Sequence, residues 1–168
     1  MRKFIIILLL FFSLNSYAKK EIGLGAGGLG YGISFKDNFN DYNSYRITGF
    51  AYLAQLGDSF WDKHINLSLQ YNHTIKRTSN EDFYLLVATS FLYSIEYSGS
   101  LTDYRRYNYY KGALGFGINK VFFEFLSLSL DIYQVIHFEN SYIHVDSGHL
   151  NRRFYSYPAI NLYLAIIF

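Results

Sequence analysis

Segment 137–149 concentrates the side chains that could do chemistry. It contains three histidines, two serines and two carboxylates: His137, Glu139, Ser141, His144, Asp146, Ser147 and His149. A serine hydroxyl becomes a nucleophile when a histidine base lies beside it and a carboxylate orients that histidine. If the segment is extended, alternation brings His137, Glu139 and Ser141 to one face. These three residues are therefore the candidates for catalysis.

The same segment could also bind a metal ion. His137, His144 and His149, with Asp146, offer nitrogen and oxygen ligands. Their spacings fit no zinc motif, and a loop seldom holds its ligands in place before the metal binds. The chain contains no cysteine, which excludes disulfides, thiolate metal sites and thiol nucleophiles. We therefore expect no metal ion.

A glycine-rich stretch at 25–30 reads GAGGLG, which formally matches a dinucleotide-binding fingerprint. That fingerprint requires a hydrophobic strand before it and a helix after it, and neither pattern is present in the flanking sequence. Glycines in barrel strands allow tight curvature and leave room for large side chains opposite them. The glycines are therefore predicted to be structural, and we expect no cofactor.

Composition narrows the class of protein. With 51% hydrophobic and 17% charged residues, the chain lacks the signature of disorder. Its formal net charge is +2, and without Arg2 and Lys3 the 13 acidic residues balance the basic ones. A nucleic-acid partner is excluded because no basic surplus attracts a polyanion.

The first 18 residues have the pattern of a secretory signal peptide. Arg2 and Lys3 precede an apolar run at 4–12, and Ser16 and Ala18 provide the small residues that a signal peptidase reads. The run is much shorter than the roughly 20 residues of a transmembrane helix. We expect a signal peptide at 1–18 and one domain at 19–168.

The remaining chain alternates between apolar and polar residues. Ile65, Leu67 and Leu69, for example, alternate with Asn66 and Ser68. Such strands occur in soluble sandwiches and in membrane barrels. The runs are longer than the strands of most soluble sheets, and 21% aromatic residues exceed the needs of one small core but suit two interfacial girdles. Both features favour a membrane barrel.

The last strand is the most specific signal. Phe168 is preceded at every second position by Ile166, Leu164, Leu162 and Ile160. In a soluble protein this strand would be an apolar edge prone to aggregation. A phenylalanine that closes such a strand resembles the assembly signal of bacterial outer-membrane β-barrels. Over 19–168 the chain is similar in architecture to the small outer-membrane barrels of the OmpA and OmpX type, although no motif matches a particular member.

This resemblance implies an all-β, transmembrane, antiparallel up-and-down barrel of about eight strands in the outer membrane of a Gram-negative bacterium. It also implies a monomer that is inserted by the barrel-assembly machinery and surrounded by outer-membrane lipid and lipopolysaccharide. Alternation reveals seven crossings, at 22–35, 45–56, 64–76, 83–97, 104–118, 122–137 and 153–168. Because such barrels have an even number of strands, we expect the eighth at 140–148.

The same topology assigns sides to the connections. If the first crossing runs outward, the connectors at 36–44 and 76–82 face the exterior, and 57–63 forms a periplasmic turn.

The interior of an eight-stranded barrel is filled by side chains. Five inward-facing residues are predicted to form a polar lumen network, with Asn161 beside them: Arg46, Gln70, Glu96, Lys111 and Asp131. We interpret the network as structural, because buried charges need partners. A narrow proton or ion path through it is the alternative.

The resemblance also raises an enzymatic alternative, because some small outer-membrane barrels are lipid A deacylases or acyltransferases. Deacylases of this kind carry a His-x-Ser pattern, whereas here Glu139 follows His137 and Asp146 follows His144. We therefore expect a non-enzymatic envelope scaffold whose loops serve adhesion, surface interaction or envelope integrity. A lipid A modifying hydrolase and a narrow channel remain as alternatives.

Overall fold

The computed structural model describes residues 19–56, 60–97, 104–144 and 149–168. Within these ranges it describes the backbone alone at 52–56, 60–63, 96–97, 104–105, 142–144 and 149–151. The described residues contain eight strands: β1 (Lys20–Gly27), β2 (Gly30–Asn38), β3 (Asn43–Leu56), β4 (Phe60–Arg77), β5 (Glu81–Tyr97), β6 (Tyr104–Phe122), β7 (Leu126–His144) and β8 (His149–Ile167). In this part of the chain, no helix has the length and apolar character needed to cross a membrane.

The strands close into a barrel. Each strand pairs antiparallel with the next, and β1 pairs with β8. At the closing seam the N–H of Phe168 donates to the carbonyl of Lys20 at 2.9 Å. Closure pairs the edges that an open sheet would expose. The predicted antiparallel up-and-down barrel of eight strands is confirmed.

The eighth strand lies in a different place from the one predicted. The run at 22–35 is two strands, β1 and β2, joined by a turn at 28–29, whereas 140–144 belongs to β7. The placement of an eighth strand at 140–148 was therefore wrong. Gly27 and Gly30 flank the turn with φ of 156° and 137°, which L side chains rarely adopt. The turn is so short that alternation continues through it, and periodicity could not reveal it.

The split of this run reverses the sides of the connectors. We call the end of the barrel that holds Lys20 and Phe168 the base, and the opposite end the far end. The base holds the turns at 39–42, 78–80 and 123–125, and the far end holds the turn at 28–29 and the strand ends flanking 57–59, 98–103 and 145–148. The expectation that 36–44 and 76–82 lie opposite the chain's ends was therefore wrong.

The β1–β2 hairpin is much shorter than the rest of the wall. β1 and β2 have 8 and 9 residues, whereas the other strands have 14 to 19. The tip of the hairpin therefore lies partway up the barrel, and β3 and β8 continue past it toward the far end.

Two inward-facing glycines make room for lumen side chains. A Cβ on Gly25 would overlap the ring of Tyr163, and a Cβ on Gly117 would overlap the ring of Tyr84. These glycines let two large tyrosines fill a narrow interior.

Candidate functional site: the barrel lumen

The barrel turns its apolar side chains outward. On β4, Ile65, Leu67 and Leu69 are 46%, 52% and 50% exposed, whereas Asn66 and Ser68 between them are 2% and 5% exposed. A soluble sheet buries its apolar face, and a membrane barrel presents that face to lipid. The chain is a transmembrane β-barrel. Its buried ionisable side chains Glu21, Lys36, Arg46 and Asp131 meet in the polar lumen. The lumen is therefore the candidate functional site.

Asp131 lies at the centre of the lumen of this transmembrane barrel and has no exposed surface. It accepts hydrogen bonds from the Tyr84 hydroxyl and from Gln70 Nε2, the latter at 2.8 Å. Arg46 Nη1 lies 3.6 Å from its Oδ2. These donors and the guanidinium replace the hydration that the carboxylate loses on burial.

Arg46 connects several strands across the lumen. Its Nη2 donates to Ser129 Oγ at 2.8 Å and lies 4.0 Å from Glu21 Oε2. Its guanidinium also lies 3.9 Å from the centre of the Tyr163 ring. This cation–π contact adds to the ion pairs in a site that excludes water.

A second buried ion pair lies toward the base. Lys36 Nζ donates to Glu21 Oε1 at 2.7 Å, and Ser127 Oγ donates to Glu21 Oε2 at 2.8 Å. The two acids and two bases of the network therefore balance. Such neutrality is what a buried set of charges requires to remain stable.

The tip of the β1–β2 hairpin closes the lumen above this network. The N–H of Leu29 lies 3.1 Å from Tyr133 Oη and 3.3 Å from Asn161 Oδ1. The Leu29 side chain is 1% exposed. It belongs to an apolar cluster with Tyr84, Leu86, Ala88, Ala113, Tyr133 and Val135, against which Tyr157 and Ala159 pack. We call Leu29 and its cluster the plug.

On the far side of the plug, His137 lies among tyrosines. The ring of Tyr155 stacks on it with centroids 4.4 Å apart, and the ring of Tyr109 meets it edge-on at 5.2 Å. Nδ1 of His137 is buried and has no hydrogen-bond partner among the described residues. Lys111, which pairs with His137 in the β6–β7 register, donates from Nζ to the carbonyl of Gly28 at 2.7 Å. We call this space the vestibule.

The predicted lumen residues fall into three groups. Arg46, Gln70 and Asp131 lie in one network, to which Asn161 connects through the Tyr163 hydroxyl. Lys111 lies apart, in the vestibule. The side chain of Glu96 lies outside the described residues.

Two charged members of the network, Glu21 and Lys36, were not predicted. Both lie at the ends of strands that the sequence merged into the single run 22–35. Had the turn at 28–29 been recognised, alternation within each short strand would have placed both residues inward.

The catalytic candidates share a face without touching. His137, Glu139 and Ser141 all point inward on β7, and the contacts of His137 given above are with aromatic rings. Because a strand advances about 3.3 Å per residue, His137 and Ser141 are about 13 Å apart along it. Direct proton transfer between them is therefore not possible in this geometry. The other candidates, His144, Asp146, Ser147 and His149, lie outside the described side chains.

The residues predicted to form the assembly signal lie on the outer face of β8 and at Phe168, which follows it. Phe168, Ile166, Leu164, Leu162 and Ile160 are all at least half exposed. They form an apolar stripe on the lipid side. Their role in assembly stays a prediction.

The barrel is similar to three solved structures. A major outer membrane protein from Thermus thermophilus has 15% identity and a TM-score of 0.47, with 90% of this chain and 100% of that chain covered. Neisserial surface protein A has 12% identity and a TM-score of 0.41, with 89% of this chain and 92% of that chain covered. Ail, the attachment invasion locus protein of Yersinia pestis, has 13% identity and a TM-score of 0.41, with 90% of this chain and 97% of that chain covered.

No family model and no curated protein matches the chain. At these identities and TM-scores the likeness to the solved structures concerns general shape alone.

Proposed function

We propose that the protein is a non-enzymatic scaffold of the bacterial outer membrane that displays its far-end loops for adhesion, surface interaction or envelope integrity. The observation that carries this proposal is the filled lumen. Leu29 and its cluster fill it at the plug, and below the plug Glu21, Lys36, Arg46 and Asp131 form ion pairs. A barrel filled in this way is a rigid support.

The filled lumen argues against a channel, and the separation of the catalytic candidates argues against a hydrolase. A channel needs an open polar path, and the packed side chains of the plug, Leu29, Leu86 and Val135 among them, fill the lumen. A hydrolase needs a nucleophile within hydrogen-bond reach of its base, and His137 and Ser141 lack that geometry.

The lengths of the connections support the proposed orientation. The base turns have three or four residues, whereas the far-end connections range from two residues at 28–29 to six at 98–103, the longest. Outer-membrane barrels keep short turns on the periplasmic side and longer loops outside. We therefore place the base in the periplasm, with delivery by the signal peptide at 1–18 and insertion through the Phe168 stripe by the barrel-assembly machinery.

Cysteine labelling tests this proposal directly, because the chain has no cysteine of its own. Arg152→Cys places a thiol toward the far end of β8, and Asn80→Cys places one in a base turn. Both positions are exposed. In intact cells, a membrane-impermeant maleimide should label Arg152→Cys and should spare Asn80→Cys until the outer membrane is permeabilised. Labelling of Asn80→Cys alone in intact cells would contradict the orientation.

The alternatives make separate predictions. Discrete conductance steps in planar bilayers, altered when Asp131 or Glu96 is neutralised, would favour a channel. A change in lipid A mass that depends on the gene and is lost in His137→Ala or Ser141→Ala would favour a hydrolase. Silent bilayers and unchanged lipid A would leave the scaffold as the function.

A further inference from the structure

The wall of the barrel has a gap between β3 and β8 at the far end. β2 pairs with β3 as far as Gly49, and β1 pairs with β8 as far as Asn161. Among the described residues, no strand covers the facing edges of β3 and β8 beyond these points. We call this opening the notch, and its floor is the turn at Gly28.

The edge of β8 that borders the notch resists the addition of a strand. The N–H of Gly28 donates to the carbonyl of Ile160 at 3.1 Å, so the backbone of Ile160 faces the notch. Backbone groups two residues apart in a strand point the same way, and Pro158 therefore faces the notch too. Proline has no N–H to donate, and the chain's one proline lies here. A strand added to β8 would therefore lack one of its backbone hydrogen bonds at Pro158.

The notch opens near the level of the lipid headgroups. From Phe168 to Ile160, β8 climbs about 20 Å along the membrane normal, at about 3.3 Å per residue and a tilt of about 40°. The apolar band of an outer-membrane barrel is about 25 Å tall. With Phe168 at the inner edge of that band, the floor of the notch lies about 5 Å below the outer edge, and the notch opens from there toward the headgroups. Unpaired backbone groups are tolerated there, because headgroups and water can satisfy them.

A cation lies at the floor of the notch. Lys111 Nζ donates to the carbonyl of Gly28, which forms that floor, at 2.7 Å. An ammonium group has three donors, and this bond uses one of them. Among the described side chains, no carboxylate forms an ion pair with Lys111. The floor therefore offers an anion a positive charge with donors to spare.

The vestibule wall beside β8 carries an aromatic stack. Tyr155 is 42% exposed, and its ring stacks on His137. His137 is 5% exposed, and its Nδ1 has no partner in the described part of the chain. Tyr155 pairs with the inward-facing His137 in the β7–β8 register, so its ring lines the vestibule and its hydroxyl can meet polar groups there. The buried unpaired nitrogen is a second polar site beside the cation.

We propose that the notch binds the anionic headgroup of an outer-leaflet lipid, whose phosphate pairs with Lys111 while its acyl chains stay in the membrane beside β8. The proposal rests on the membrane orientation proposed above. It goes beyond the scaffold function, because it gives the barrel a specific lipid ligand that enters through the side of the wall.

Native mass spectrometry of the full barrel in detergent micelles tests this proposal, with phosphatidylglycerol as the probe. Lys111→Met keeps most of the side chain's volume and removes its charge. We expect this variant to lose affinity for phosphatidylglycerol on the order of tenfold, the scale of one charge-assisted hydrogen bond. Lys111→Arg should retain binding. Lys120→Met is the matched control, because Lys120 lies on the same strand but at the base, where it pairs with Glu81.

Three results would overturn the proposal. In the first, Lys111→Met holds phosphatidylglycerol as tightly as the wild type does, and in the second, zwitterionic phosphatidylcholine binds equally well. In the third, free glycerol phosphate at the same concentration displaces the lipid, which would make the floor a site for soluble anions. On a gel in SDS, faster migration of the unboiled than of the boiled sample confirms that each variant is folded. Because the micelle assay does not depend on orientation, its failure is distinct from a failure of the cysteine labelling.

Discussion

Arg46 and Asp131 place opposite charges inside a barrel whose outer face meets lipid. Arg46 is 2% exposed and Asp131 has no exposed surface. Each charge lost its hydration on folding, and the partner's charge and the surrounding donors replace that hydration. Loss of one partner would leave the other as an unpaired buried charge, and that cost exceeds the net stabilisation that the pair itself contributes.

Removal of one partner should therefore destabilise the barrel strongly. We expect Arg46→Met or Asp131→Asn to lower the free energy of unfolding by about 3 to 5 kcal/mol, since each leaves an uncompensated buried charge. Arg77→Met is the control. It breaks an ion pair with Asp82 in which Arg77 is 45% exposed, and such a pair contributes at most about 1 kcal/mol. Urea unfolding in lipid vesicles measures all three variants.

The double variant Arg46→Met with Asp131→Asn should recover part of the loss, because no unpaired charge remains between the two positions. If the single variants unfold at the same urea concentration as Arg77→Met, the pair is not the stabilising element we take it to be.

The β1–β2 hairpin is the element that completes the barrel. It is short, its tip carries Leu29 into the lumen, and its two strands are the ones that close the wall against β3 and β8. Gly23 lies on the closing seam, where a Cβ would overlap the carbonyl of Leu164 and the backbone of Ala165. The close approach of β1 and β8 thus depends on a position without a side chain.

Gly23→Ala should impair closure, because the added methyl group would overlap the backbone of β8. We expect the fraction of protein that migrates as a compact barrel in unboiled samples to fall severalfold. Gly112→Ala is the matched control, since a Cβ at Gly112 meets nothing within 4 Å. Equal compact fractions for the two variants would show that the seam tolerates a methyl group.

The sequence predicted the lipid and lumen faces of the long strands well and the hairpin poorly. In β4 and β7, one face meets lipid and the other meets the lumen, and alternation reports that difference directly. Around Leu29 the apolar residues lie inside, Leu86 and Val135 among them, against the rule that holds along most of the wall. The plug is a tertiary contact between the turn at 28–29 and residues far along the chain, such as Tyr133, and no local pattern encodes it.

Alternation around the barrel also determines which residues of the lumen network the sequence could predict. Arg46, Gln70 and Asp131 stand at polar positions within apolar alternation, so their inward placement could be deduced. Which of them touch depends on the stagger between strands, as in the bond from Gln70 on β4 to Asp131 on β7. Periodicity gives the face of a residue but not its height relative to a strand across the barrel.

A closed barrel of this kind should resist SDS until it is boiled. We expect the protein to fractionate with the outer membrane and to migrate faster in unboiled than in boiled samples, because the closed wall keeps its hydrogen bonds away from detergent. Gel migration of separated inner and outer membranes provides the measurement. A soluble periplasmic protein without a boiling-dependent shift would contradict the membrane assignment.

The short hairpin also divides the chain into two unequal pieces. The residues before the turn at 39–42 hold β1 and β2, and those after it form a continuous sheet of six strands, β3 to β8. The smaller piece carries the Leu29 plug and supplies the two strands that complete the wall. The barrel is therefore suited to fragment complementation, in which a synthetic hairpin peptide restores a truncated, incomplete sheet and reports on the meeting of the two pieces.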